Sequence, residues 1–421
     1  MNQYSNHQHR TGRVCAKRAT HLARILVTCA FALIASSATA DSNERSWTVN
    51  GFGTLGVVHS DQDQADFAAG YLARDGAGFS DRWSPKVDSK AGIQLTWEPA
   101  PKFKAVLQVI SEQDHKGSFN PRVEWANLSY GLTPELTIRA GRTVLPVFMS
   151  SDYRKVGYAL PTVRPEVELY DLVPISNSDG VDINYQTRID SVINSLRLFV
   201  GQKSTKLPHG FEVNAHDILT LANTMEWQDA TLFASYSQAR LSEGVIAPLF
   251  DGFRAFGPEG QRIADRYDLN GTTIRITSLG GRYDPGDWFV NGEWAANRSP
   301  SFIGDNRAWY LTAGIRLGSL TPYLTVADRR ARGERSHPGL AFPQAEPLNM
   351  FLNDLLAGNA ADQRRMAAGL RWDLRPGLAL KTQLDRIELR RGSRGMLSNV
   401  QHGFDGDKPV HLLSATFDFV F

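Results

Sequence analysis

The chain has 421 residues, 42% of them hydrophobic and 21% charged, with 46 Lys and Arg against 44 Asp and Glu. That near balance excludes a nucleic-acid binder working through a general basic patch. Cys15 and Cys29 are its two cysteines, both within the first forty residues. The rest therefore cannot carry a disulfide scaffold, a Cys-ligated zinc or iron–sulfur site, or a cysteine nucleophile.

Those first forty residues hold Arg10, Arg13, Lys17, Arg18 and Arg24 and no acid. An apolar run from Ile25 to Ile34 follows, then Ala35-Ser-Ser-Ala-Thr-Ala40, an A-x-A pattern suited to cleavage before Asp41. The run is shorter than the roughly 20 residues a spanning helix needs, so residues 1–40 read as a cleaved secretory signal peptide. Residues 41–421 then form one exported domain.

No later window approaches about 18 consecutive apolar residues. Period-two alternation recurs instead. In Ala308–Leu317, Trp309, Leu311, Ala313, Ile315 and Leu317 oppose Ala308, Tyr310, Thr312, Gly314 and Arg316. In Arg365–Asp373, Met366, Ala368, Leu370 and Trp372 oppose Arg365, Gly369, Arg371 and Asp373. Between His411 and Phe421, Leu413, Ala415, Phe417 and Phe419 oppose Leu412, Ser414, Thr416 and Asp418. Successive strand side chains point to opposite faces, so each segment has one greasy and one wet side.

Sixteen such segments are predicted, starting near Trp47, Val87, Phe103, Arg122, Leu136, Gly180, Ile193, His216, Ala230, Gly271, Trp288, Arg307, Pro322, Arg364, Leu378 and Pro409. Short connections with turn chemistry (Glu98–Lys102, Gly131–Glu135, Asp284–Asp287, Leu374–Gly377) alternate with long ones near 59–86, 144–179, 241–270 and 329–363. A soluble sandwich also alternates, with its apolar face inward. The wet faces here mix charge with Gly, aromatics such as Trp97, Tyr130, Trp288 and Trp372 sit near segment ends, and Phe421 closes the last segment. These features favour an all-β transmembrane antiparallel barrel of about 16 strands, with short periplasmic turns and long external loops. A barrel that wide encloses an aqueous channel. By this alternation, an arginine at Leu370 should block assembly and one at Gly369 should be tolerated.

At this point the chain resembles a Gram-negative porin. The likeness rests on Asn50-Gly-Phe-Gly-Thr-Leu-Gly56, Val123-Glu-Trp-Ala-Asn127, Arg139-Ala-Gly-Arg142, Ala308-Trp-Tyr310 and the final Phe417-Asp-Phe-Val-Phe421. It implies a homotrimer in the cell outer membrane, in contact with outer-membrane lipid and lipopolysaccharide. It implies also that Phe417, Phe419 and Phe421 are read by the barrel-assembly machinery. In such porins the loop after strand five folds into the pore, and here the loop over 144–179 is the longest. The acidic motif of the best-known porin loops is absent from it.

Other motifs carry less. Gly51-Phe-Gly-Thr-Leu-Gly56 fits G-x-G-x-x-G but lies inside an alternating segment with no helix following. Asp61-Gln-Asp63-Gln-Ala-Asp66 lacks the Gly and the final acid of a calcium loop. Histidines show no metal-ligand spacing, and His411 and Ser414 fall on opposite strand faces. No catalytic, cofactor or metal site is predicted. Three functions remain: a passive channel for small hydrophilic solutes, a solute-specific channel, and a non-conducting binding or adhesion barrel. For a channel, parity turns Lys90, Lys104 and Arg139 inward. With Arg142 these are the predicted wall cations, facing the loop acids Glu166, Glu168 and Asp171 across a constriction.

Overall fold

A computed structural model describes residues 46–421, except 71 and 211. The signal peptide expected over residues 1–40 lies outside the described residues. Sixteen antiparallel strands close on themselves. They are β1 (Ser46–Ser60), β2 (Lys90–Ala100), β3 (Phe103–Glu112), β4 (Arg122–Gly131), β5 (Leu136–Val144), β6 (Asn177–Ile189), β7 (Val192–Lys206) and β8 (Glu212–Trp227) in the first half. The second half comprises β9 (Ala230–Glu243), β10 (Thr272–Tyr283), β11 (Trp288–Arg298), β12 (Asn306–Ile315), β13 (Leu320–Ala331), β14 (Gln363–Arg375), β15 (Leu378–Leu389) and β16 (Val410–Val420). Each strand pairs with its sequence neighbours, and β1 closes the barrel by pairing with both β2 and β16. A two-residue strand, Trp83–Ser84, adds to the outer end of β1. The predicted starts agree with the observed ones to within a turn; the largest offset is His216 against Glu212, where a bulge between His216 and Leu219 disturbs the alternation.

Alternation sets the faces. On β12, Ala308, Tyr310 and Thr312 are buried inside, while Trp309, Leu311 and Ile315 stand exposed outside. At the short-turn ends, ring pairs Trp47–Trp97, Phe103–Tyr130 and Tyr283–Trp288 lie 5.3–5.4 Å apart, as in an interfacial aromatic girdle. Asp190 and Gln228 take left-handed φ values of 52° in two-residue turns, the backbone that tight hairpins require. Gly369 faces inward as predicted, but the expectation that arginine fits there is wrong. A Cβ at Gly369 would collide with the Tyr323 ring, which lies flat on its backbone.

The long loops are not simply irregular. Residues 244–271 fold into α2 (Ala247–Arg254) and α3 (Pro258–Tyr267), and residues 332–362 into α4 (Glu346–Asn359); α1 (Val167–Tyr170) lies in the loop after β5. Each of α2, α3 and α4 has Pro in its first turn, where no amide hydrogen is missed. In α4, Asn349, Leu352 and Leu356 share the buried face. Leu145, Phe148 and Leu169 of the loop after β5 join Phe250, Phe253, Ile263, Leu352 and Leu356 in one apolar cluster. Among the described residues, no helix is long and apolar enough to cross a membrane.

Candidate pore constriction

Residues 145–176 hydrogen-bond to inward-facing side chains all along the second half of the wall. Ser235 of β9 donates to the Val147 carbonyl at 2.6 Å. Glu293 of β11 accepts from the Met149 amide at 2.8 Å and the Tyr170 hydroxyl at 2.5 Å. Arg371 of β14 donates to the Tyr158 and Leu160 carbonyls at 2.7 and 3.0 Å. Lys381 of β15 donates to the Gly157 and Thr162 carbonyls at 2.7 and 3.0 Å, and pairs with Asp418 of β16 at 3.1 Å. The loop thus crosses the barrel interior and is fastened from β9 round to β16.

The loop acids do not face the predicted cations. Glu166 and Glu168 bind Arg365 of β14, with Arg365 Nε 3.1 Å from Glu168; Arg365 also pairs with Asp385 at 2.8 Å. Arg164 completes this buried group, chelating Asp88 at 2.6 and 2.7 Å. Four carboxylates are thereby matched to Arg164 and Arg365, with the charge of Arg329 also acting on Glu168. Burial pushes the Glu168 carboxyl up to about 7, against a hydrogen bond from Gln363. Desolvation this deep favours the protonated form of the surplus acid. Asp171 is buried with its carboxylate against Gly70.

The four predicted wall cations are dispersed. Lys104 faces inward but sits at the short-turn rim, paired with Glu98 at 3.0 Å. Arg139 bonds Asp182, the residue opposite it on β6. Arg142 chelates Asp179 at 2.7 and 2.9 Å. Lys90 and Arg142 border an outer cavity of about 530 Å³. An inner cavity of about 710 Å³ is lined by Arg139, Asp152, Asp182, Arg197, Glu226 and Arg282.

Between the two cavities lies a loop segment that sequence reasoning did not single out. Asp152 lines the inner cavity and accepts from Arg197 of β7 at 3.0 Å, while Arg154 and Lys155 line the outer one. Lys155 and Arg122 both pair with Glu112 at the end of β3. Burial lowers the pKa of both Arg154 and Lys155, opposed by the charges of Glu112 and Glu124. Eight basic side chains border the outer cavity against five acidic ones. No local motif marks this; it follows from how the loop turns at residues 150–156. Among the described residues, no group of three His, Cys, Asp or Glu is placed to hold a metal ion. His411 bonds Asp61 at 2.7 Å, not Ser414.

A closed 16-stranded barrel with apolar exterior, polar interior and a loop fastened across its lumen defines an outer-membrane channel of the porin class. The chain matches the family model for Gram-negative porins over residues 27–392 and belongs to that family. No curated protein matches it by sequence. Its fold is similar to that of the anion-selective porin from Comamonas acidovorans, at 12% identity over 90% of this chain and 100% of that one, TM-score 0.54. It is similar also to Salmonella typhi OmpF in complex with daunomycin (11% identity, 90% and 99% covered, TM-score 0.52). A third similar structure is the trimer form of OmpT, an outer membrane protein of Vibrio cholerae (9% identity, 90% and 100% covered, TM-score 0.50).

Proposed function

We propose that the protein is a water-filled diffusion channel for small hydrophilic solutes, constricted by residues 145–176 and weighted toward anions. The carrying observation is the placement of two charge-lined cavities, the outer one along β2–β7 and the inner one along β4–β10, one on each side of Asp152–Lys155. On the opposite side, the loop and the apolar cluster beneath α2, α3 and α4 leave a smaller cavity of about 260 Å³, bordered by Tyr153, Glu166, Arg282, Tyr310, Arg316 and Arg371. The passage from one cavity to the other is narrowed where the loop meets the wall, at the pairs Asp152–Arg197 and Lys155–Glu112. A homotrimer accords with the trimer form described for the Vibrio cholerae protein.

The excess of basic groups around the outer cavity supports the sign of the selectivity. Unit charges about 8 Å apart in water interact by only about 0.5 kcal/mol, and screening acts over about 10 Å at 0.1 M salt. The bias is therefore several-fold, compatible with flux rather than tight capture. Planar-bilayer recording of the purified protein tests this. The wild type should conduct with a reversal potential on the anion side, and R154Q/K155Q should move it toward cations without abolishing conductance. A barrel without conductance would overturn the diffusion reading. Conductance with unchanged selectivity in the variant would remove these two residues from the constriction.

A further inference from the structure

The smallest of the three cavities differs in kind from the two along the passage. It lies between loop residues 149–170 and the short-turn half of the β10–β14 wall. Its volume is about 260 Å³, whereas an apolar cavity of about 150 Å³ suffices to hold benzene. Met149, Tyr153, Ala159 and Arg282 border it and the inner cavity alike, so these residues form its rim toward the passage.

Four rings line it, those of Tyr153, Tyr158, Phe289 and Tyr310, and each is held in place. Tyr158 accepts from the Gly377 amide at 3.1 Å, and its ring centroid lies 4.8 Å from the Arg371 guanidinium. Phe289 lies against the backbone of Gly314, where a Cβ would collide with the ring, and Arg316 stands 5.3 Å from its centroid. Tyr310 donates to Glu293 at 2.9 Å, and Tyr153 accepts from Ser150 at 3.0 Å. With all three hydroxyls engaged by the protein, these side chains offer a ligand chiefly ring surface. Fixed aromatic surface favours stacked or edge-on packing of another ring.

The guanidiniums that border the cavity are unequally occupied. Arg371 donates to Asp373 through Nε and Nη2, and to the Tyr158 and Leu160 carbonyls through Nη1. Arg316 chelates Asp284 at 2.6 and 2.8 Å and donates to the Gly286 carbonyl. Asp287 and Asp373 act on Arg316 as well, at longer range. Arg282 has only a share of that same Asp284, through Nη2. One carboxylate therefore serves two guanidiniums, and among the described residues the other nitrogens of Arg282 have no hydrogen-bond partner. Glu166, which also borders the cavity, is bound to Arg365. A guanidinium with donors to spare beside ring surface suits a ligand that carries both a carboxylate and a ring.

We propose that this cavity retains small aromatic carboxylates, with the carboxylate on Arg282 and the ring among Tyr153, Tyr158, Phe289 and Tyr310. The proposal rests on the diffusion reading for the route by which the solute arrives, and adds a resting place beside that route. Saturation-transfer NMR on the detergent-purified full-length protein tests it, with benzoate, benzamide and acetate as probes. Benzoate should bind saturably, and benzamide and acetate each about tenfold more weakly, as the loss of one charge-assisted contact or of the ring dictates. R282Q should weaken benzoate about tenfold and leave benzamide unchanged, a pattern that a folding defect would not produce. Y153L should weaken benzoate and benzamide together. Benzoate bound equally by the wild type and R282Q, or by the wild type and Y153L, would overturn the proposal. So would displacement of benzoate by an equal concentration of acetate, which would make Arg282 a site for any anion. A barrel that passes no current in planar bilayers would fail the diffusion reading alone, because the NMR titration needs no current and decides the cavity by itself.

Discussion

Lys381 of β15 and Asp418 of β16 form a fully buried ion pair, 3.1 Å apart, inside a barrel wall. The pair is not sealed within the sheet. Lys381 also holds two loop carbonyls, of Gly157 and Thr162, and Asp418 accepts from Thr54 of β1 at 2.5 Å. One contact set therefore joins the strands that close the barrel to the loop that crosses it.

Lys381→Met tests this joint. Removing one partner of a buried pair leaves the other charge uncompensated, worth roughly 3–5 kcal/mol. The variant barrel should lose its heat-resistant gel mobility at a lower temperature than the wild type. Its single-channel trace should be noisier as the loop loosens. An unchanged melting temperature with quiet conductance would show that the loop is fastened elsewhere.

Glu168 gives the loop a pH dependence. Its folded pKa of about 7 lies above the ordinary value of 4.5, because burial disfavours the carboxylate. A raised acid pKa contributes stability that is fully present below about pH 4.5 and is lost as pH rises through about 7. Thermal stability should fall between about pH 4.5 and pH 7 by about 1–3 kcal/mol and change little above that. E168Q, which cannot ionise, should lack this slope. The same slope in both proteins would exclude Glu168 as its source.

Strand orientation predicts unequal tolerance of charge. Leu324→Arg, on the outward face midway along β13, should cost roughly 2–4 kcal/mol and block assembly. Asn184→Arg, lining the inner cavity, should assemble and reduce conductance. The comparison is made by heat-modifiable band yield from whole outer membranes. Equal yields would mean that the two positions do not lie on faces of different polarity.

The last strand presents Phe417 and Phe419 outward, half-buried, and ends on the exposed Phe421. We expect these rings to guide assembly. Deleting Phe421 should slow the appearance of folded barrel in pulse-chase labelling more than Phe342→Ala, which trims an exposed ring in the loop carrying α4. Equal rates would leave Phe421 without a special part in assembly.

The strands were readable because alternation is a local signal; Trp309 and Tyr310 need no distant partner to be assigned opposite faces. Parity placed Arg139 inward for the same reason. The loop chemistry was not readable in this way. Glu166 and Glu168 were matched with Lys90, Lys104 and Arg139 on charge alone, whereas the fold gives them to Arg365, nearly 200 positions away. Alternation put Arg365 on the wet face, but no local signal tied that one inward arginine to the acids of a loop so far away in the chain. The helices α2, α3 and α4 were missed because a search for period-two patterns passes over short stretches of period 3.6. Arg154 and Lys155 were passed over because the acids of their loop drew the attention.

The apolar cluster shared by the loop after β5, α2, α3 and α4 also dictates an order of events. Phe148, Phe253 and Leu352 come from segments separated by about a hundred residues each, and they meet only above a nearly complete ring of strands. Contacts at such sequence separation form slowly, because chain entropy must be surrendered before they contribute. Closure of the ring is more distant still, since β1 meets β16 through pairs such as Phe52 with Val420, so sealing of the wall and filling of the lumen both belong to the last stage of folding.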